Sequence, residues 1–341
     1  LPTRLQLGKL SPETLERVIY TRLGVADPRV LVGPKIGEDA AVIEMGSRVL
    51  AVHSDPITGA AENLGWLAVN VSANDVATRG ATPRWSSLIL FLPEDASLRL
   101  LEAIMEQAHE AAMEIQVSVV SGHTEVTPGL RRPMAACTCI GEAPRDRFFT
   151  TGGARRGDAL IVTKGAAIEG TAILASEFTH QLEPLLGRAT VEAARRFIRR
   201  VSVVRDALTA VEAGGVTAMH DATEGGVLGA LYEMAYASGL GIRTSYEKVP
   251  VALETKAVCE ALGVDPMRTI SSGTLLIAVR RDRAEGVVQT LRRAGIGASD
   301  IGSFVDRAEG VTVAMRDGSV VEVSAPVQDE LWRLISRSGW A

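Results

Sequence analysis

Three short acidic stretches in the first eighty residues carry the residue types that chemistry needs: Gly37-Glu38-Asp39-Ala40-Ala41, Asp55, and Asn74-Asp75. Each aspartate sits among small residues at what reads as the end of a strand or on a helix. Taken singly, such aspartates are most simply turn residues or helix caps. Taken together, they offer several carboxylates without a cysteine-rich ligand set, which suits a hard cation. Magnesium takes oxygen ligands and is held by one or two carboxylates plus substrate phosphates. The expectation is therefore a metal-bridged polyphosphate site with Asp39, Asp55 and Asp75 as metal ligands.

The second half adds two candidates. His220-Asp221-Ala222-Thr223-Glu224-Gly225-Gly226 reads as a glycine-bearing loop that opens a helix. Backbone N–H groups there, Gly225 among them, would face an anion at the helix N-terminus, and Asp221 would add a fourth carboxylate. Lys164-Gly165 follows a strand and could present an amine to phosphate, although it lacks the P-loop pattern. No dinucleotide fingerprint follows a strand. His53, His123 and His220 each stand beside an acid, which raises a zinc hydrolase as an alternative. No His-Glu-x-x-His spacing supports it, and no nucleophile elbow supports a Ser/His/Asp triad.

These residues need elements to hold them. Ser11-Pro12-Glu13 is a helix start, with Leu15, Val18, Ile19 and Leu23 as its apolar stripe and Gly24 as its stop. Strands are expected over 40–45, 48–54, 86–92, 116–120 and 132–140. Helices are expected over 62–79, rich in small residues around Asn74-Asp75, and over 98–114, capped by Ser97. The 121–125 stretch reads as the loop after a strand. A glycine-, arginine- and aspartate-rich loop over 141–158 marks the boundary between a domain of residues 1–150 and one of residues 151–341. The second half reads as strands over 159–163, 216–219, 240–246, 274–280, 300–305, 311–315 and 319–323. Its helices fall at 168–177, 189–199, 203–213, 227–237, 251–262, 282–294 and 327–337. The pattern is mixed α/β, or α+β, in two layers per domain.

The bulk properties exclude several classes. The 341 residues favour two domains. A hydrophobic content of 46% with 23% charged residues belongs to a folded globular chain rather than a disordered one. The net charge of −5 and 4% aromatics give no footing for nucleic acid. No run is long enough to span a membrane, and Leu1-Pro2-Thr3-Arg4 is no secretory signal. Cys137 and Cys139 share a strand face and Cys259 is alone, which suits buried thiols in a reducing, cytoplasmic setting.

As an ordered set, Gly37 to Ala41, His53-Ser54-Asp55, Val71 to Pro83, Gly122-His123-Thr124-Glu125 and Asp221 to Gly226 resemble the aminoimidazole-ribonucleotide synthetase-like (PurM-like) superfamily of ATP-using enzymes. The nearest likeness within it is to hydrogenase maturation factors of the HypE type. Thiamine-monophosphate kinase is similar around residues 37–55. The resemblance implies two α/β domains, a homodimer formed through the N-terminal domains, and ATP with Mg2+ as cofactors. It implies that Asp39, Asp55, Asp75 and Asp221 hold the metal and that Asp75 and Asp221 are the catalytic carboxylates. Asn74 would bond the phosphates or their waters, with Gly122, Thr124 and Glu125 lining the same cleft. The implied chemistry is phosphoryl transfer from ATP to an amide or carbonyl-type oxygen, with a maturation partner protein. Two departures stand out. The family often has aspartate where His123 stands, and HypE proper ends in a cysteine that carries a carbamoyl group. The sequence ends Ser336-Arg337-Ser338-Gly339-Trp340-Ala341 with no cysteine after Cys259, so the expectation is that carbamoyl chemistry does not occur in cis. The alternatives are a small-molecule kinase and a nucleotide-binding partner without catalysis.

Overall fold

The computed structural model describes Leu5 and residues 8–58 and 62–338, with side chains described up to residue 334. The N-terminal tetrapeptide and the last three residues named above lie outside the described residues. The chain forms two compact units. One comprises Arg29–Gly33 and Asp39–Phe148; the other gathers Leu1–Pro28, Pro34–Glu38 and Phe149–Ala341.

Along the first unit run β1 (Val30–Val32), β2 (Ala41–Met45), β3 (Arg48–Ile57), α2 (Leu64–Thr78), β4 (Thr82–Leu92), α3 (Leu98–Glu114), β5 (Ser118–Val126) and β6 (Met134–Pro144). A short α1 (Pro12–Thr14) precedes them in the other unit, capped by Ser11, and passes into a π-turn over Leu15–Ile19. The strands form a six-stranded sheet in the order β1-β2-β3-β6-β4-β5. Pairing is antiparallel except for β4 with β5, which is parallel.

All fifteen residues of α2 are buried. This helix is apolar or small all round, so it belongs inside, between sheet and neighbours, rather than on a surface. Gly65 allows α3 to come close: a Cβ there would stand 2.0 Å from the Ile104 carbonyl oxygen. α3 itself is amphipathic, capped by the Ser97 hydroxyl, which accepts from the Leu100 N–H at 3.2 Å.

The other unit continues with β7 (Ala159–Thr163), α4 (Ile168–Glu177), α5 (Thr179–Leu186), α6 (Arg188–Arg195), α7 (Val204–Ala213), β8 (Val216–Ala222), α8 (Gly226–Ser238), β9 (Gly241–Ser245), α9 (Leu253–Leu262), β10 (Thr274–Val279), α10 (Ala284–Arg293), β11 (Ala298–Val305), β12 (Val311–Ala314), β13 (Val320–Glu322) and α11 (Glu330–Ser338). Its seven strands order as β13-β12-β9-β11-β7-β10-β8. β7 and β10 are buried at every position, as central strands covered on both faces must be. The core here joins Leu160, Val162, Leu276, Ala278, Val227, Leu231 and Met234. The fold is mixed α/β in two units.

Three expectations change. The 121–125 stretch is not a loop, because β5 continues to Val126 through its parallel pairing with β4. His220 and Asp221 likewise belong to a strand: β8 runs to Ala222, with His220 opposite Leu276 and Asp221 opposite Leu275. Residues 1–150 do not form one body. Lys9 bonds Glu224 through its backbone and Thr223 through its amine, and the Tyr236 hydroxyl reaches Glu16 at 3.2 Å. Glu38 accepts from the N–H groups of Thr151 (3.1 Å) and Gly152 (3.4 Å). These bonds tie the early segments to the second half of the sequence.

Candidate active site

In the first unit, β3 carries His53 and Asp55 two positions apart, which puts both side chains on one face of the sheet. α2 covers that face: the Ser72 hydroxyl donates to the Cys137 carbonyl on β6 at 2.8 Å. From α2, Asp75 completes a cluster. His53 Nε2 lies 3.3 Å from Asp55 Oδ1 and 3.7 Å from Asp75 Oδ2. One ligand atom from each of the three lies within 4.8 Å of the others. Asp75 is buried, and its neighbour Asn74 is wholly so; His53 and Asp55 keep part of their side chains in solvent. Two carboxylates and an imidazole at these separations match the donor set and spacing that a divalent cation requires.

Asp39 has a partner that the sequence reading missed. Arg79, at the end of α2, is fully buried, and its Nη2 stands 3.8 Å from Asp39 Oδ2. A cation closing a helix of small apolar residues was the available signal.

Gly122, Thr124 and Glu125 do not share a face. Strand alternation and the β4–β5 register place Gly122 and Thr124 with Leu88 and Leu90, and Glu125 opposite, beside His123. Glu125 accepts from the Thr127 hydroxyl at 2.9 Å and meets His123 Nε2 at 3.2 Å; these two bonds hold its carboxyl below the usual range. Gly122 has a packing reason to be glycine, since a Cβ would meet the Leu88 carbonyl oxygen at 2.1 Å.

In the other unit, Asp221 is buried at the end of β8. His220 beside it is oriented by α8: its Nε2 meets Glu233 Oε2 at 2.8 Å, and Lys9 approaches the other Glu233 oxygen at 3.5 Å. Burial pushes the Glu233 carboxyl up, but Lys9 and then His220 outweigh it and bring it down to about 2. The α8 N-terminus is already occupied. Gly225, at φ +85°, donates its N–H to Asp329 Oδ2 at 2.6 Å, and Leu331 N–H donates to Asp329 Oδ1 at 2.8 Å. Burial pushes Asp329 up to about 6 despite those bonds. An internal carboxylate thus takes the place that the sequence reading gave to phosphate at Gly225. Lys164 is also corrected. Its amine donates to the Ser202 carbonyl at 2.6 Å and pairs with Asp206 at 3.1 Å, almost out of solvent. Burial pushes its ammonium down from the ordinary value, against the pull of Asp206.

Models of the AIR synthase related protein match this chain over both of its halves, the N-terminal domain over residues 37–143 and the C-terminal domain over residues 155–314. The chain belongs to the AIR synthase-related family. Among its members, a putative hydrogenase expression/formation protein of Methanocaldococcus jannaschii is 30% identical over 96% of this chain and 97% of its own length. The carbamoyl dehydratase HypE of Escherichia coli is 31% identical over 82% of this chain and 81% of its own. A crystal structure of the hydrogenase maturation protein HypE in complex with ATP superposes with a TM-score of 0.72 at 24% identity, covering 96% of this chain and 98% of that one. At that identity the likeness establishes the AIR synthase-related fold. No helix among the described residues is long and apolar enough to cross a membrane.

Proposed function

We propose that this chain is an ATP-dependent enzyme of the hydrogenase-maturation branch of its family, one that phosphorylates an amide or carbonyl-type oxygen so that it can leave. The observation that carries the reading is the convergence of His53, Asp55 and Asp75 on one face of the first unit. Supporting it are a HypE relative named as a carbamoyl dehydratase and a HypE fold that holds ATP. A bound divalent cation, Mg2+ in the simplest case, supplies charge neutralisation for the transferring phosphoryl group.

The chain's own residues provide position. Asp55 and Asp75 would hold the cation from a strand and a buried helix, both rigid elements. Asn74 orients the phosphates or their water shell. Asp39 is oriented by Arg79, and Asp221, fixed at the end of β8, is the second unit's catalytic carboxylate. None of the three cysteines is placed to carry an acyl group. Burial pushes Cys137 up to about 11 and Cys139 and Cys259 up to about 12, which leaves all three as inert thiols.

The same reading includes a homodimer. β5 ends the first unit's sheet, every residue along it is exposed, and Val119, Val120 and Val126 lie there with Trp85 of β4 close by in register. A long, exposed, apolar edge strand is a surface that proteins cover. Val120→Lys is expected to convert a dimer to a monomer by light scattering.

The test of the activity is ADP release from ATP in the presence of carbamoyl- and amide-bearing acceptors, with a maturation partner protein added. Release that depends on an acceptor and is lost in Asp75→Asn supports the reading. Nucleotide bound without turnover for every acceptor would replace it with a non-catalytic nucleotide-binding role.

A further inference from the structure

We propose that His53 makes the cluster on β3 and α2 a mixed nitrogen–oxygen site, which takes a first-row transition-metal dication in preference to Mg2+. This deepens the reading above by naming the class of cation. Its test contains no nucleotide, so the two readings fail separately.

The donor atoms argue for it. Mg2+ selects oxygen ligands and keeps much of its water. An imidazole nitrogen suits Mn2+ through Zn2+ far better, and affinity for such a site rises from Mn2+ to Cu2+ and drops back at Zn2+. Two ligands each about 2.1 Å from one ion stand roughly 3.0–3.4 Å apart at tetrahedral or right angles, and further as the angle opens. The 3.3 Å and 3.7 Å separations of His53 Nε2 from the two carboxylates fall in this range. Three protein ligands leave coordination positions open, as in catalytic rather than structural sites.

The scaffold argues for it too. His53 and Asp55 are locked to the sheet by β6, where they stand opposite Cys139 and Cys137. Asp75 comes from a helix buried along its whole length. A site on rigid elements discriminates between ions by geometry as well as by ligand type. His53 and Asp55 keep part of their side chains in solvent, while His53 Nε2 and Asp75 Oδ2 themselves are buried.

The experiment uses the full chain stripped with chelator. Mn2+ is titrated and followed by electron paramagnetic resonance; Zn2+ and Mg2+ are then titrated as competitors. The expected result is stoichiometric Mn2+, displaced readily by Zn2+ and only by a large excess of Mg2+. In His53→Gln the affinity for Mn2+ and Zn2+ should fall at least about tenfold, the scale on which even outer partners of a metal site act, while that for Mg2+ changes little. Electron spin echo modulation from an imidazole nitrogen on bound Mn2+ reads the same ligation in the unaltered protein, independently of how the variant folds. Absence of bound Mn2+, equal competition by Mg2+ and Zn2+, or bound Mn2+ without imidazole modulation would overturn the proposal.

Discussion

On the α2–β3 face of the first unit, two carboxylates and an imidazole point at one another. At the β8–α8 corner of the other unit, two carboxylates meet donors of their own chain: Glu233 meets His220 and Lys9, and Asp329 meets the N–H groups of Gly225 and Leu331. Both regions put acids beside histidines at strand ends, and in the sequence they look alike. What separates them is where the answering charge comes from. In the second region the donors to Glu233 come from His220 on β8 and from Lys9 near the start of the chain, and Asp329 reaches back to Gly225, which makes a closed network around these two acids. In the first, the converging atoms are of the kind that share a metal ion. A glycine-bearing turn before a helix is thus a weak indicator of a ligand, because the protein can fill the helix N-terminus itself.

The largest effect that would sharpen this contrast lies beside the first region. Arg79→Met leaves Asp39 without its buried partner and should lower stability by about 3–5 kcal/mol, measured by denaturant unfolding, since breaking a buried pair strands a charge. A loss near zero would show that Asp39 and Arg79 are not coupled. Gly122→Ala forces a methyl against the Leu88 carbonyl and should destabilise by roughly 1–3 kcal/mol. Its melting temperature should fall while affinity for a nucleotide analogue holds; the reverse would return Gly122 to the binding site.

The two acids of the closed network should respond to pH in opposite senses. Asp329 has a folded value near 6, above its ordinary 3.8. Its contribution to stability is therefore full below 3.8 and is lost as pH rises through about 6. Glu233 has a folded value near 2, below its ordinary 4.5. Its contribution is present above 4.5 and is lost as pH falls toward 2. In thermal melts, Asp329→Asn should remove a decline in stability between pH 4 and 6, and Glu233→Gln should remove a rise between pH 2 and 4.5. Matching slopes in the two variants would contradict the assigned partners.

Much of the fold was legible because it rests on local pattern. The spacing predicts helices over 98–114 and 168–177 and a strand over 159–163, and α3, α4 and β7 occupy those residues. The Ser97 cap and the paired burial of Cys137 and Cys139 follow from the same local rules. What was not legible depends on distant partners. β5 and β8 extend past the expected ends because β4 and β10 pair with them. Lys164 turns to Asp206, and Gly225 to Asp329, across separations no window spans. At the candidate site, Asp55 and Asp75 were readable as acids among small residues. His53 reads in the sequence as one of three histidines beside an acid that raise a zinc hydrolase, not as a partner of Asp55 and Asp75. Its two-residue spacing from Asp55 on a strand was the signal that placed both on one face.

The most direct test of the central claim, that the cluster on β3 and α2 holds the cation that seats a nucleotide, is calorimetric titration with a non-hydrolysable ATP analogue. It is run with and without divalent cation, on the unaltered chain and on Asp75→Asn. Cation-dependent binding that disappears in Asp75→Asn, with the melting temperature retained, is the predicted result. Binding that is indifferent to the cation, or unchanged in Asp75→Asn, would contradict the claim and leave the cluster as a feature of the fold.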